Sequence, residues 1–527
     1  MRKMWIVTGT ENELVKLVSS KLVDGILPVG SYLTVVDDKK VTHMLLIEKS
    51  YQMSLFEPSP LIVDAELPLL KQDQECKNII LAREIRQSPL RPDGMFSFIK
   101  PNDTARRTTQ QEIDEIFTSK EGYPVFLATS FLGQNSTLKD DSGQMIYVRM
   151  PFYSLYLQTM ICGQTGSGKT VAMKYLIEQF LQHEQGAVLA INVKAIDLLT
   201  MDQPTTFAEK KELQKPTEEE WRTLGLSKPE ISEFNVYVPA SKQRPKEGVN
   251  QEKVRLITLR TRDLEPNSLL GVLQNITDRA AEALPSIFRH WKENVHEETQ
   301  TFGNFISWFT ELATKENHYL FPTTSQSGET GEIQLHQGTS AAILRSLASA
   351  RDFFDSKEHD CLAIRENNIM VQGKLSVIDL SNKNTIIFGA VLLRHLLSKI
   401  YETKAFKGDF KDIPVLIVID EVHQFYGSGA SVQALEELNA IARMGRSEKI
   451  GVIFASQNPE DLPSGLTSIV NTRIFFRSLQ TVGRRFDIRN LAVELSSLDN
   501  GFAAVSSVAL PQVNFVKFPI SLMGVKT

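Results

Sequence analysis

The chain holds 527 residues, of which 42% are hydrophobic, 23% charged and 8% aromatic; that is enough apolar material for two or three cores and excludes wholesale disorder. A formal net charge of −5 excludes a protein coated in basic surface, but not one that holds nucleic acid in a channel lined by a few repeated cations. Three well-separated cysteines, Cys76, Cys162 and Cys361, exclude a disulfide framework or a zinc ribbon and suit a reducing compartment. The opening MRKMWIVTGTENE has too short an apolar stretch for a secretion signal, and no run reaches bilayer length, so a cytoplasmic protein without a membrane segment is expected.

Residues 1–150 carry short β-rich runs: YLTVV (32–36), HMLLIE (43–48), NIILARE (78–84), PVFLATSF (124–131) and MIYVRM (145–150). Polar turns separate several of them, which predicts a small N-terminal β-barrel or sandwich, interrupted by one helical piece over 109–118. Beyond residue 155 the texture changes to apolar strands alternating with helical periodicity, at 157–163, 187–193, 234–240, 374–380, 414–420, 451–457 and 473–478. Such near-continuous Val- and Ile-rich runs predict strands buried on both faces of a parallel sheet, in a doubly wound α/β domain. Residues 201–370 look like an excursion from that sheet, mainly helical but containing the strand at 234–240. The expected division is a barrel over 1–150, an ATPase core over 151–200 and 371–510, a helical insertion over 201–370, and a C-terminal arm over 511–527.

The strongest local signal is Gly163-Gln164-Thr165-Gly166-Ser167-Gly168-Lys169-Thr170, a complete GxxxxGK[ST] phosphate-binding loop between an apolar strand and an amphipathic helix. Glycines let the loop curl its N–H groups inward onto a polyphosphate, and the following helix adds its positive end. ATP is the expected nucleotide; Lys169 would neutralise its outer phosphates, and the Thr170 hydroxyl would ligate Mg2+. The strand in PVLIVIDEVHQF ends in Asp420 and Glu421. Beside a phosphate-binding loop, Asp420 would hold the metal and Glu421 would polarise the attacking water as general base; without one, an acidic strand end means little. The next strand ends in Gln457, which is placed either to sense the γ-phosphate or simply to cap a loop. Between them ALEELNAIARMGRSEKIG delivers Arg443 and Arg446 to a helix C-terminus. The helix dipole alone stabilises cations there; the functional alternative is an arginine finger reaching a neighbour's nucleotide. Arg473, Arg477, Arg484, Arg485 and Arg489 form the densest basic run, which could contact phosphates or a neighbouring subunit, or simply be a solvated face; Lys194 is a further possible channel residue.

These pieces, in this order, resemble the HerA branch of the HerA/FtsK ring ATPases. The resemblance is carried by GQTGSGKT, INVKAIDLL (191–199), KLSVIDLS (374–381), VLIVIDEVHQF (415–425), ARMGRSEKIGVIFASQNPEDLP (442–463), VNTRIFFR (470–477) and the closing LDNGFAAVSS and LPQVNFVKFPI. It implies a RecA-like P-loop ATPase core behind a small barrel, a homohexamer around a double-stranded DNA channel, and ATP with Mg2+ between subunits. It maps catalysis to Glu421, sensing to Gln457 and the trans-acting finger to Arg446, whose spacing from Glu421 matches the family. Two departures stand out: Tyr156-Leu157-Gln158 replaces an Arg-His pair common before the loop, and Ala195-Ile196-Asp197 replaces the usual acidic or glycine residues after the second strand. Proteins of this family typically work with a separate partner, a NurA-like or other nuclease or a sirtuin-like NAD-consuming effector. The expected function is therefore an ATP-driven DNA translocase or helicase, in anti-phage defence or as the resection motor of a nuclease pair. The alternative is an ATP-gated scaffold that assembles and switches its effector; a membrane-linked pump is disfavoured.

Overall fold

A computed structural model describes residues 5–19, 26–54, 76–89, 95, 97–117, 121–131, 134–194, 196–240, 246–272, 278–358, 360–382, 385–406, 410, 412–425, 445, 447–461, 469–479, 495–510 and 512–526. Strands β1 (Trp5–Glu11), β2 (Leu14–Ser19), β3 (Tyr32–Val36), β4 (Thr42–Ser54), β5 (Cys76–Ser88) and β6 (Thr104–Arg107) close into a barrel in the order β1-β2-β5-β4-β3-β6. Trp5, Val7, Leu17, Leu33, Val35, Leu45, Ile80 and Ala105 fill its centre; β1 alternates them with the exposed Ile6 and Thr8, whereas Tyr32 and Thr34, on the other face of β3, are buried as well. Register shifts between Met44 and Leu45 and between Ile47 and Lys49 let the long β4–β5 ribbon bend around so small a cylinder.

The remaining strands are β7 (Tyr123–Phe131), β8 (Gln134–Thr137), β9 (Tyr147–Met150), β10 (Gln158–Cys162), β11 (Ala187–Asn192), β12 (Glu233–Pro239), β13 (Val254–Thr258), β14 (Leu320–Thr324), β15 (Thr330–Gln334), β16 (Leu362–Ala363), β17 (Lys374–Asp379), β18 (Val415–Ile419), β19 (Ile450–Ser456), β20 (Thr472–Phe475), β21 (Phe502–Ser507) and β22 (Asn514–Lys517). All but β14 and β15, which form a separate hairpin, belong to one 14-stranded sheet ordered β16-β13-β12-β17-β11-β18-β19-β10-β20-β21-β22-β7-β8, with β9 paired to β7. From β16 to β20 every pairing is parallel; from β20 onward the pairs are antiparallel. In β10, β11, β17, β18 and β19 every residue is buried, because helices cover both faces and leave no polar side to the sequence.

Two of the expected boundaries fall elsewhere. The run at 124–131 and the strand ending at Met150, assigned to the barrel from sequence, lie in the large sheet: β7 pairs with β22 through Leu127–Val516 and Phe126–Lys517. Burial does not separate the two, since residues 32–35 of the barrel are buried as fully as 123–130; pairing does, because β7 extends the antiparallel edge from β22 and carries β8 and β9 in turn. The insertion lends β12, the strand expected at 234–240, to the parallel sheet, and β13 and β16 in addition. Its helices, Asp278–Asn294, Phe302–Leu312 and Gln337–Ala350, pack around a buried aromatic group that includes Phe288, Trp291, Phe302, Phe305, Phe309 and Phe321. The polar piece expected over 109–118 forms a helix at Gln110–Phe117. No helix among the described residues is long and apolar enough to cross a membrane.

Candidate functional site

The site gathers where parallel strands deliver their C-terminal ends, the edge at which open α/β sheets bind ligands. Strand β10 ends in Cys162 and turns through the loop 163–168 into the helix Lys169–Glu184. Three loop glycines take positive φ: Gly163 at 155°, Gly166 at 77° and Gly168 at 113°. Around Gly166 a Cβ would meet nothing within 4 Å, so the loop rim opens onto free space. Gly163 is needed for a different reason, since a Cβ there would lie 2.7 Å from Phe476 Cβ and 2.9 Å from Ser167 Oγ.

Backbone bonds brace the loop from the other side. Gln164 N donates to Arg477 O at 2.8 Å, Gly501 N donates to Ser167 O at 2.9 Å, and Phe476 N donates to Cys162 O at 2.8 Å. Inside the loop, Ser167 Oγ donates to Gln164 O at 2.7 Å. The Lys169 ammonium is buried and donates to the carbonyls of Gly163 and, at 3.2 Å, Gln164. Burial, then the nearby Lys194, pull its pKa below the ordinary lysine value, against the opposing pull of Glu421 and Asp420. Residues 164–166 are exposed and Thr170 is half-buried.

Strand β18 is separated from β10 by β19, so Asp420 and Glu421 face the loop across the end of β19. Both acids are buried, with 2% and 1% of their surface exposed. Asp420 Oδ1 accepts from Glu421 N at 3.0 Å. Burial pushes the Asp420 carboxyl up to about 6; Lys194 opposes this and Glu421 adds to it. Glu421 has left-handed backbone, φ 45° and ψ 49°, a strained conformation for a side-chain-bearing residue. One of its oxygens is ion-paired with Lys194 and the other lies 3.4 Å from His423 Nδ1. The Ser456 hydroxyl, at the end of β19, lies within hydrogen-bond distance of His423 Nδ1 at 3.3 Å, and Gln457 follows it, exposed at the strand tip.

The structure thus brings residues 163–170, Asp420, Glu421 and Gln457 to one edge. Arg443, Arg446, Arg484, Arg485 and Arg489 lie outside the described residues. Arg473 and Arg477 sit on β20 and at its exit, both half-buried, with the Arg477 carbonyl bonded to the loop. Lys194, read as a channel candidate, lies against Glu421 instead. Sequence reasoning missed this contact because it depends on β11 and β18 being neighbours, which no local pattern reveals; Lys194 standing just past a strand end was the one available signal.

The donor chemistry fits a magnesium nucleotide. Glycine-freed N–H groups, a lysine ammonium and a helix N-terminus suit phosphate oxygens. A threonine hydroxyl and crowded buried carboxylates are the hard oxygen donors Mg2+ prefers. An all-parallel core with a phosphate-binding loop on one strand, an acidic pair two strands away and an additional strand between them defines a RecA-like P-loop ATPase.

The family comparisons sharpen that class. The profile "Helicase HerA, central domain" matches residues 155–399, and "Helicase HerA-like C-terminal" matches residues 323–482. The chain belongs to the HerA family. It is 28% identical over 165 residues to the DNA double-strand break repair helicase HerA of Sulfolobus acidocaldarius, covering 29% of this chain and 33% of that protein. The Saccharolobus solfataricus protein of the same name is 27% identical over 154 residues, covering 27% of this chain and 31% of that protein. Each match therefore spans about a third of the relative's length. Among solved structures, VirB4 of Thermoanaerobacter pseudethanolicus superposes with a TM-score of 0.45 at 14% identity, over 76% of this chain and 97% of that one. The plasmid coupling protein TrwB bound to ADPNP gives 0.49 at 12% identity, over 79% and 93%.

Proposed function

We propose that this chain is the subunit of an ATP-hydrolysing motor, most simply a hexamer, that moves along double-stranded DNA. The observation that carries the reading is the placement of Lys169 and of the buried Asp420 and Glu421 on the same sheet edge with β19 between them, an arrangement suited to repeated hydrolysis rather than to nucleotide storage. In it, the loop amides and Lys169 hold the phosphates and Thr170 and Asp420 hold Mg2+, which would offset charge on the transferred phosphoryl group. Glu421 accepts a proton from the attacking water, Gln457 registers the outer phosphate, and Arg446 of a neighbouring subunit offsets developing charge. The division into barrel, ATPase core, helical insertion and arm belongs to this reading, as does a separate nuclease or NAD-consuming partner in anti-phage defence or DNA-end processing.

The DNA part rests on family membership and on relatives named as DNA repair helicases. ATP turnover measured with and without linear double-stranded DNA tests it. Turnover is expected to rise on adding DNA and to lose that rise steeply with salt, as phosphate contacts require. Indifference to DNA, with turnover responding only to a co-purifying effector, would favour the gated scaffold.

A further inference from the structure

Lys194 stands two residues past the end of β11, and its ammonium is ion-paired with Glu421, the residue proposed above as the base. The main chain beneath it is pinned: Asn192 Nδ2 donates to Lys194 O at 2.8 Å and to Asp379 Oδ1 at 3.1 Å, while Asn192 Oδ1 accepts from Leu198 N at 3.2 Å. The root of the lysine is therefore fixed by the sheet, and its flexible stem is what remains to move. The Lys194 side chain keeps 31% of its surface exposed, against 2% for Glu421.

Two features make this pair more than a brace. Among the described residues the buried Glu421 oxygens have no hydrogen-bond partner beyond this ion pair, and a cation held against a carboxylate makes it a poorer acceptor for a proton from water. In addition, the loop that ends in Lys169 faces the end of β18, so a polyphosphate held there would place a second anion near the partly exposed Lys194 and compete with Glu421 for its ammonium. We propose that Lys194 is a positioning residue that clamps Glu421 while the loop holds no nucleotide and gives it up when a polyphosphate enters. The inference rests on the ATPase reading.

A double-mutant cycle tests the clamp. Thermal unfolding is followed for the full chain, Lys194→Met, Glu421→Gln and the double variant, with and without Mg2+ and ATPγS. Without nucleotide the two substitutions are expected to be non-additive, because each removes the same pair. With saturating ATPγS the coupling is expected to vanish. Because the pair must be broken as nucleotide enters, Lys194→Met is expected to tighten ATPγS binding about threefold or more, while Lys194→Arg, which can still pair with Glu421, binds it as the parent does. Additive shifts without nucleotide, coupling undiminished by ATPγS, or weakened ATPγS binding by Lys194→Met would each overturn the clamp. Direct binding of ATPγS, measured alongside, separates the two layers: no binding defeats the ATPase reading itself, whereas binding with persistent coupling defeats only Lys194's role.

Discussion

Glu421 departs from ordinary backbone geometry at φ 45°, a conformation that costs on the order of 1–3 kcal/mol and survives where its surroundings enforce it. Here β18 ends on a buried carboxylate pair, and the left-handed turn at Glu421 leads into the short helical turn Val422–Gln424 with the Glu421 side chain against Lys194 and His423. Removing the two ends of this arrangement should therefore separate binding from chemistry. Lys169→Ala is expected to abolish ATP binding in a folded protein, and Glu421→Gln to bind ATP at least as tightly as the parent while turnover falls about a hundredfold or more; filter binding beside a phosphate-release assay distinguishes them. A second residue-scale case lies on the helix that follows the loop. Burial raises the Glu178 carboxyl to about 7, and its Oε2 accepts from Ser521 Oγ at 2.8 Å and Leu522 N at 3.0 Å. A folded-state pKa above the unfolded value gives stability that is present at low pH and lost as pH rises, here between the ordinary glutamate value and about 7. Glu178→Gln is thus expected to flatten the pH dependence of Tm across that window and to raise Tm at pH 8, by an amount worth about 2–3 kcal/mol at most. An unchanged pH profile would mean that the carboxyl titrates normally.

At the scale of elements, the loop is held as much by the antiparallel edge of the sheet as by its own strand. Gly168 packs so closely on the turn before β21 that a Cβ would sit 2.9 Å from Gly501 N, and its φ of 113° already disfavours any other residue. Gly168→Ala should push the loop off Gly501 and weaken ATPγS affinity about tenfold or more with a lowered Tm, since both contact and conformation are lost. Parental affinity would show that the β21 turn is no part of the loop's support. Much of this framework could be read locally: the glycine spacing at 163–168, the apolar run into Asp420, and the doubly buried strands each carry their signal within a few residues. What could not be read was adjacency. The run at 124–131 looks the same whether it closes a barrel or extends a sheet, and only its pairing with β22, hundreds of residues away, decides. Lys194 reaches Glu421 for the same reason, through the neighbouring of β11 and β18. The strand at 254–258 carries little local signal, because VRLIT is short and partly exposed, and it gains its place by pairing with β12 on one side and β16 on the other.

At the scale of the whole molecule, a motor needs more than one copy of this chain if the charge on the transferred phosphoryl group is met from outside the subunit. Arg446 lies outside the described residues, so its role rests on helix-terminus chemistry and on its spacing from Glu421, and a mixing experiment is the direct test. Arg446→Ala subunits keep a whole loop and base but donate no finger; Glu421→Gln subunits donate a finger but cannot use one. Each alone is expected to bind ATP and turn over about a hundredfold more slowly than the parent. Combined in equal amounts in a closed ring, about a quarter of the interfaces join an intact base to an intact finger, and turnover should recover towards that fraction. Recovery should be greatest near equal proportions and disappear when either variant is in large excess. If the arginine acts within its own subunit, no mixture restores activity, and the site is complete in one copy. Sedimentation of the same mixtures shows whether subunits exchange at all: exchange into mixed rings without recovery rules out a shared site, because every ring would then contain the complementary pair and still fail to use it.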